Sequence, residues 1–251
     1  IYINNRDSYD FVKWLRLILF KNPIPLHSSF LCKTNSEYEA NISNFVEIRG
    51  DMGDNYNLDK VQESMINFGK PCIYTLRTNN EGGNFCEDKS KYIDINKKAI
   101  RLGATLVDLE VDMDIKLKED IKTIGSIHSN DIDYIKNNIK KCNNDILKIV
   151  TSSINCRKLE NEVDKSNSIL IDNDTKLYRT HNKYLTPISS STSEQTAPNQ
   201  LNFSDYLDTC YQNYGKKFIF LFGNNIGESP SSFIHNMVIS KFHKNIVYLN
   251  M

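Results

Sequence analysis

Between residues 29 and 188 the chain repeats one rhythm. A short, mostly apolar run is followed by a turn, then by a stretch whose apolar positions recur every three or four residues. The first pattern predicts strands and the second predicts helices. Strands are predicted over 30–32, 44–49, 72–77, 105–111, 123–128, 145–150, 168–172 and 184–188. Helices are predicted over 58–68, over 89–102 and over 131–142. Gly69, with Pro71 just beyond, and Gly103 close the first two, glycine being the residue that most readily takes a left-handed cap. Ahead of the rhythm, 7–20 also reads as a helix, with Phe11, Trp14, Leu15 and Ile18 on one face. Asn22-Pro23-Ile24-Pro25 ends it, because proline cannot continue a helix and restrains the residue before it.

Mostly apolar strands alternating with helices imply a parallel sheet covered on both faces. Eight strand candidates fit an α/β fold of the (β/α)8 TIM barrel type, of somewhat short build. An open doubly wound sheet is the structural alternative, but no strand here runs into G-x-G-x-x-G. A barrel carries its active site at the C-terminal ends of its strands. Those ends are Glu47 and Arg49, Arg77, Glu110, His128 and Lys148, with Arg179 after the seventh strand and Gln200 after the eighth. A lysine, a histidine and three arginines would then converge on one mouth. Guanidinium forks pair with carboxylates, so the expected substrate is a small anionic, hydroxylated molecule.

Lys148 sits in the middle of an otherwise apolar run, Ile146-Leu147-Lys148-Ile149-Val150. A buried ammonium must be paired or give up its proton. A lysine in that setting is an amine nucleophile toward ketones. The competing reading is a lysine whose stem lies along the strand while its head reaches water.

Composition narrows the field. The 251 residues carry no net charge, with a pI near 7.1. That argues against a phosphate-backbone binder, hence no nucleic-acid partner, and against a polybasic membrane anchor. Hydrophobic residues make up 39% of the chain and mean hydropathy is −0.48. No apolar run approaches the roughly 20 residues of a membrane span. The opening Ile1-Tyr2-Ile3-Asn4-Asn5 has no basic segment followed by an apolar core, so no signal peptide is read and a cytoplasmic location is expected. The six cysteines form no C-x-x-C pair and no zinc-like spacing, which leaves no metal site on this reading.

Seven motifs, in order, resemble type I 3-dehydroquinate dehydratase as it occurs within the fungal pentafunctional AROM polypeptide. They are Val46-Glu47-Ile48-Arg49, Tyr74 to Gly83, Leu102-Gly103 with Val107-Asp108-Leu109-Glu110, Ser126-Ile127-His128, Leu147-Lys148-Ile149-Val150, Leu185-Thr186-Pro187-Ile188-Ser189, and Ala197-Pro198-Asn199-Gln200-Leu201. The resemblance implies a lyase of the shikimate pathway that forms a Schiff base and needs no cofactor. Lys148 would form the imine and His128 would be the acid–base, oriented by Glu81. Arg179 would grip the substrate carboxylate. Glu47, Arg49 and Arg77 would surround the ring hydroxyls, and Thr196 and Gln200 would belong to a polar lid. The segment before Arg179 carries no glycine, where the family has two.

The resemblance also implies domain limits. Residues 1–28 look like the end of a shikimate kinase domain and its linker, 29–214 like the dehydratase barrel, and 215–251 like the truncated start of a shikimate dehydrogenase domain. Ser229 and Ser231 match the serines that hold shikimate in that last domain. Expected partners are 3-dehydroquinate, neighbouring AROM domains in the same polypeptide, and a second copy, since relatives are commonly dimeric. Two other readings are a non-catalytic metabolite-binding regulator, as in quinate repressors built from AROM-like domains, and a different Schiff-base lyase or aldolase.

Overall fold

The computed structural model describes residues 29–32, 43, 45–66, 71–86, 88–115, 117, 121–164, 167–182, 185–189, 197–206, 208, 217–221, 231, 234–235 and 246–250. The helix expected over 7–20 lies outside them. Eleven strands are described: β1 Ser29–Leu31, β2 Phe45–Arg49, β3 Cys72–Thr75, β4 Leu106–Glu110, β5 Lys122–His128, β6 Ile146–Thr151, β7 Ser168–Asp172, β8 Thr186–Ser189, β9 Leu201–Asn202, β10 Lys217–Leu221 and β11 Ile246–Asn250. Five helices accompany them: α1 Leu58–Ile66, α2 Lys89–Leu102, α3 Ile132–Ile139, α4 Ser153–Leu159 and α5 Leu177–Thr180. Asp88 caps α2 by accepting from Lys91 N at 2.8 Å, and Asp131 caps α3 by accepting from Asp133 N and Tyr134 N. Each cap satisfies amides that the first helical turn leaves open.

Nine strands form one parallel sheet in the order β7-β6-β5-β4-β3-β2-β1-β8-β9. It is TIM-barrel-like, as expected, with one difference. Among the described residues β7 and β8 share no ladder. The free edge of β8 is taken by β9, through Ile188 opposite Leu201, and α5 touches both β7 and β8. β10 and β11 form a separate parallel pair.

The side-chain period of two along each strand sorts the residues into two faces. One face packs outward against the helices: Val46, Ile48, Tyr74, Leu76, Val107 and Leu109 meet α1 and α2, while Ile127, Ile149 and Leu170 meet α3 and α4. The other face fills the barrel. Its lowest layer is an apolar plug of Phe45, Ile73, Leu106, Ile124, Ile146 and Ile169. Two residues further along β2 to β6 the same face becomes polar: Glu47, Thr75, Asp108, Ser126 and Lys148, all buried. Another two residues on stand Arg49, Arg77, Glu110 and His128. Stacked side-chain layers of this kind belong to packed barrels. The plug closes the bottom, so the polar layers open only upward. Among the described residues no helix is long and apolar enough to cross a membrane.

Candidate active site

A cavity of about 180 Å³ opens above the plug, lined among others by Glu47, Arg49, Arg77, Glu81, His128, Lys148, Arg179 and Gln200. The described residues expected at the site therefore face one space, apart from Glu110 and from Ser231 of the C-terminal flank. Thr196 and Ser229 lie outside the described residues, and Ser231 is half-buried.

Lys148 is buried, not reaching water along its strand. Its Nζ lies 2.9 Å from Asp108 Oδ2. Asp108 Oδ1 accepts from Arg77 Nη2 at 3.0 Å and from Ser126 Oγ. Burial alone would raise this carboxyl, but the Arg77 and Lys148 cations outweigh it and hold Asp108 well below the usual carboxylate range. Asp108 is thus a fixed anion that steers the lysine and is a poor acceptor for its proton.

Arg77 is the hub of the charges. Nη1 donates to Glu81 Oε2 and to Ser126 Oγ, both at 2.7 Å, and lies 3.6 Å from Glu110 Oε1. Burial would lower its pKa, yet Asp108, Glu81 and Glu110 together raise it. Both terminal nitrogens bond to protein, and Arg77 also lines the cavity.

His128 stands one strand away from Lys148, with Ser126 and Lys148 as register partners on β5 and β6. Its Nδ1 lies 2.8 Å from Glu81 Oε2. Nε2 bonds to no described residue and is the nitrogen left for chemistry. Burial, then the Arg77 and Lys148 cations, hold the imidazole well below its ordinary value. Burial, only partly offset by Arg77, pushes Glu81 up to about 8. Near neutral pH the histidine is therefore uncharged, as a general base must be.

Three further groups complete the wall. Glu47 Oε1 accepts from Thr75 Oγ1 at 2.9 Å. Arg49 makes a two-pronged pair with Asp51, at 2.8 and 2.7 Å, which leaves its Nη1 for the cavity. Arg179 is 1% exposed and pairs with no carboxylate among the described residues. Its Nε donates to Asp172 O at 3.2 Å and its Nη2 to Pro198 O at 2.9 Å. Burial lowers its pKa and outweighs the attraction of Asp172 and nearby thiols.

The glycine-free segment before Arg179 is held by side chains instead. Asp172 accepts from Asp174 N, Thr175 Oγ1 and Ser153 Oγ at 2.8, 2.6 and 2.6 Å. That turn delivers α5, and α5 carries Arg179 inward. Sequence reasoning did not assign Asp108, Ser126 or Asp51 to the site. The first two could have been found by stepping back two residues from Glu110 and from His128 on the same face. Oxygens of Glu81, Glu110 and Asp112 also lie within 4.8 Å of one another. Arg77, His128 and Thr78 already occupy the first two of these acids.

The class the fold and the cavity define is a parallel, barrel-like α/β domain with a buried lysine, an uncharged histidine and a buried arginine at one mouth. The chain belongs to the type I 3-dehydroquinase family, whose model matches residues 24–157. It is 27% identical over 277 residues to the pentafunctional AROM polypeptide of Lachancea thermotolerans, covering 92% of this chain and 18% of that one. It is 23% identical to the chloroplastic bifunctional 3-dehydroquinate dehydratase/shikimate dehydrogenase of Arabidopsis thaliana, covering 97% and 45%. Among solved structures it resembles the type I 3-dehydroquinate dehydratase of Clostridium difficile, with a TM-score of 0.56 at 16% identity, over 74% of this chain and 90% of that one. The chain spans less than a fifth of the length of the AROM relative.

Proposed function

We propose that the site dehydrates 3-dehydroquinate to 3-dehydroshikimate through an imine on Lys148. The observation that carries this reading is that Lys148 and His128, on adjacent strands, line one cavity with Arg179, which forms no ion pair among the described residues. Arg179 takes the substrate carboxylate through its open Nη1. Arg49 and Glu47 meet the ring hydroxyls and Gln200 closes over them, while Arg77 holds the acids in place. Lys148 adds through its nitrogen to the C3 ketone while one ammonium proton passes to the ketone oxygen; a second leaves with that oxygen as water, and the nitrogen keeps the last, so the imine is protonated. His128 Nε2 takes a proton from C2, and the electron pair of that bond moves into the imine. The C1 hydroxyl then departs with the proton that His128 returns. Hydrolysis of the new imine frees the product and restores Lys148, so the net change is loss of one water from the substrate.

On the same reading 29–214 is the catalytic barrel, and 1–28 and 215–251 are the edges of neighbouring AROM-type domains. The parallel β10–β11 pair suits the opening of an α/β domain, because parallel neighbours need a crossover. The chain works as one enzyme module of a longer cytoplasmic polypeptide, with 3-dehydroquinate as its substrate.

Borohydride trapping tests the mechanism. Protein incubated with 3-dehydroquinate and borohydride should gain covalent mass on the peptide containing Lys148, and Lys148→Ala should lose both the adduct and turnover. A folded protein that gains no mass there would refute the imine.

A further inference from the structure

We infer that Glu110, which does not line the cavity, is a positioning residue for the acid–base pair, acting through Thr78. The inference rests on the reaction proposed above and concerns which residues set its proton-transfer step.

Glu110 ends β4 and is 2% exposed. Both of its carboxylate oxygens are spent on one residue. Thr78 N donates to Oε1 at 2.8 Å and Thr78 Oγ1 donates to Oε2 at 2.7 Å. Thr78 opens the loop that follows β3, and the loop is built around it. Its carbonyl accepts from Gly83 N at 2.7 Å and from Glu81 N at 3.2 Å. Phe85 N returns to Arg77 O at 3.0 Å, Asn79 N bonds to Phe85 O at 2.9 Å, and Thr78 and Phe85 form an isolated bridge. This closed loop carries Glu81, whose Oε2 meets His128 Nδ1.

The chain of contacts is therefore Glu110, Thr78, the loop, Glu81, His128. It is rigid because each link is hydrogen-bonded and Glu110 and Thr78 are both buried. The position of the imidazole is thus fixed through the loop by a carboxylate of the neighbouring strand. Charge works in the same direction as geometry. Glu110 stands beside Arg77 and Glu81, and it helps keep Glu81 in the protonated range while Arg77 opposes it. The chain of contacts ends on His128 and not on the Lys148–Asp108 pair, so proton abstraction should suffer more than imine formation when it is broken.

The test compares Glu110→Ala, Glu110→Gln, Thr78→Val and Thr78→Ser with the parent chain. Glu110→Ala should lower kcat at least tenfold with KM changed less than threefold. Glu110→Gln and Thr78→Val, each keeping part of the clamp, should fall between. Thr78→Ser keeps the hydroxyl and should restore the parent rate, which a merely bulky or stabilising role would not require. Borohydride trapping gives the second readout. Glu110→Ala should still label Lys148, but with the adduct enriched in the form that has not yet lost water. Parent-like kcat in a folded Glu110→Ala, or equal loss in Thr78→Ser and Thr78→Val, would overturn the inference. Failure of the parent chain itself to label would instead refute the proposed reaction.

Discussion

Lys148 Nζ and Asp108 Oδ2 lie 2.9 Å apart with both side chains buried. The two residues come from β6 and β4, with Ser126 of β5 between them bonded to Asp108. Taking a lysine out of water costs several kcal/mol, and a close, hydrogen-bonded acid is what makes the position tolerable. The same contact aims the amine upward from the apolar plug, into the cavity. Stability and reactivity thus depend on one carboxylate.

Replacing that carboxylate should therefore cost both. Asp108→Ala is expected to destabilise the fold by about 3–5 kcal/mol, the usual penalty for stripping one partner from a buried ion pair. Lys148→Ala should cost less, since Asp108 retains Arg77 and Ser126. Denaturant titrations of the two variants measure the difference. Equal stability losses would contradict the assignment of Asp108 as the shared counter-ion.

Arg179 should matter to binding more than to chemistry. A hydrogen bond to a charged group is worth about 1.5–3 kcal/mol. Arg179→Gln is thus expected to raise KM about 10- to 100-fold with a smaller change in kcat. Steady-state kinetics on 3-dehydroquinate would show it. An unchanged KM would mean that the buried guanidinium serves only the carbonyls of Asp172 and Pro198.

How much of this could be read from the chain depends on the range of the interaction. The alternation along β2 to β6 is local, so it placed Glu47, Arg49, Arg77, His128 and Lys148 at one mouth without any structure. Asp108 and Ser126 share those faces and were legible by the same count, but nothing in their spacing says which cation they meet. Arg179 is different. It rides on a four-residue helix, and the turn that aims it is made by side chains of Asp172, Ser153 and Thr175. A reading that looks for loop glycines has no signal for that substitution. The seam between β7 and β8 depends on β9 pairing with β8 across residues distant in sequence, which periodicity does not encode.

The loop that carries Glu81 has one position with no room for a side chain. A Cβ at Gly83 would lie 2.1 Å from the carbonyl oxygen of Arg77. That oxygen accepts from Phe85 N and cannot retreat without opening the loop. Gly83→Ala should cost about 1–3 kcal/mol, the range for forcing atoms into a packed site, and should lower kcat by displacing Glu81 from His128. Gly82 is the control. Its own Cβ would meet nothing within 4 Å, although its φ of 80° adds backbone strain. Calorimetry and kinetics together check this, and a fully active Gly83→Ala would show that the loop does not hold the pair.

The Glu81–His128 contact should also be visible in the pH dependence of stability. Glu81 is raised from 4.5 to about 8, so across that window the folded chain holds a proton that the unfolded chain releases. Stability from this group is complete below about 4.5 and is lost as pH rises through about 8. His128 has the opposite sign: its folded value lies below 6.5, so its contribution is present above 6.5 and lost as pH falls. Between pH 6.5 and 8 only the Glu81 effect of this pair remains. Over that interval the parent chain should lose on the order of 1 kcal/mol per pH unit relative to Glu81→Gln, which cannot titrate. Thermal melts of both proteins at pH 6.5, 7.2 and 8.0 measure the gap. Parallel curves would place the Glu81 carboxyl in the ordinary acid range and leave His128 with a charged partner throughout.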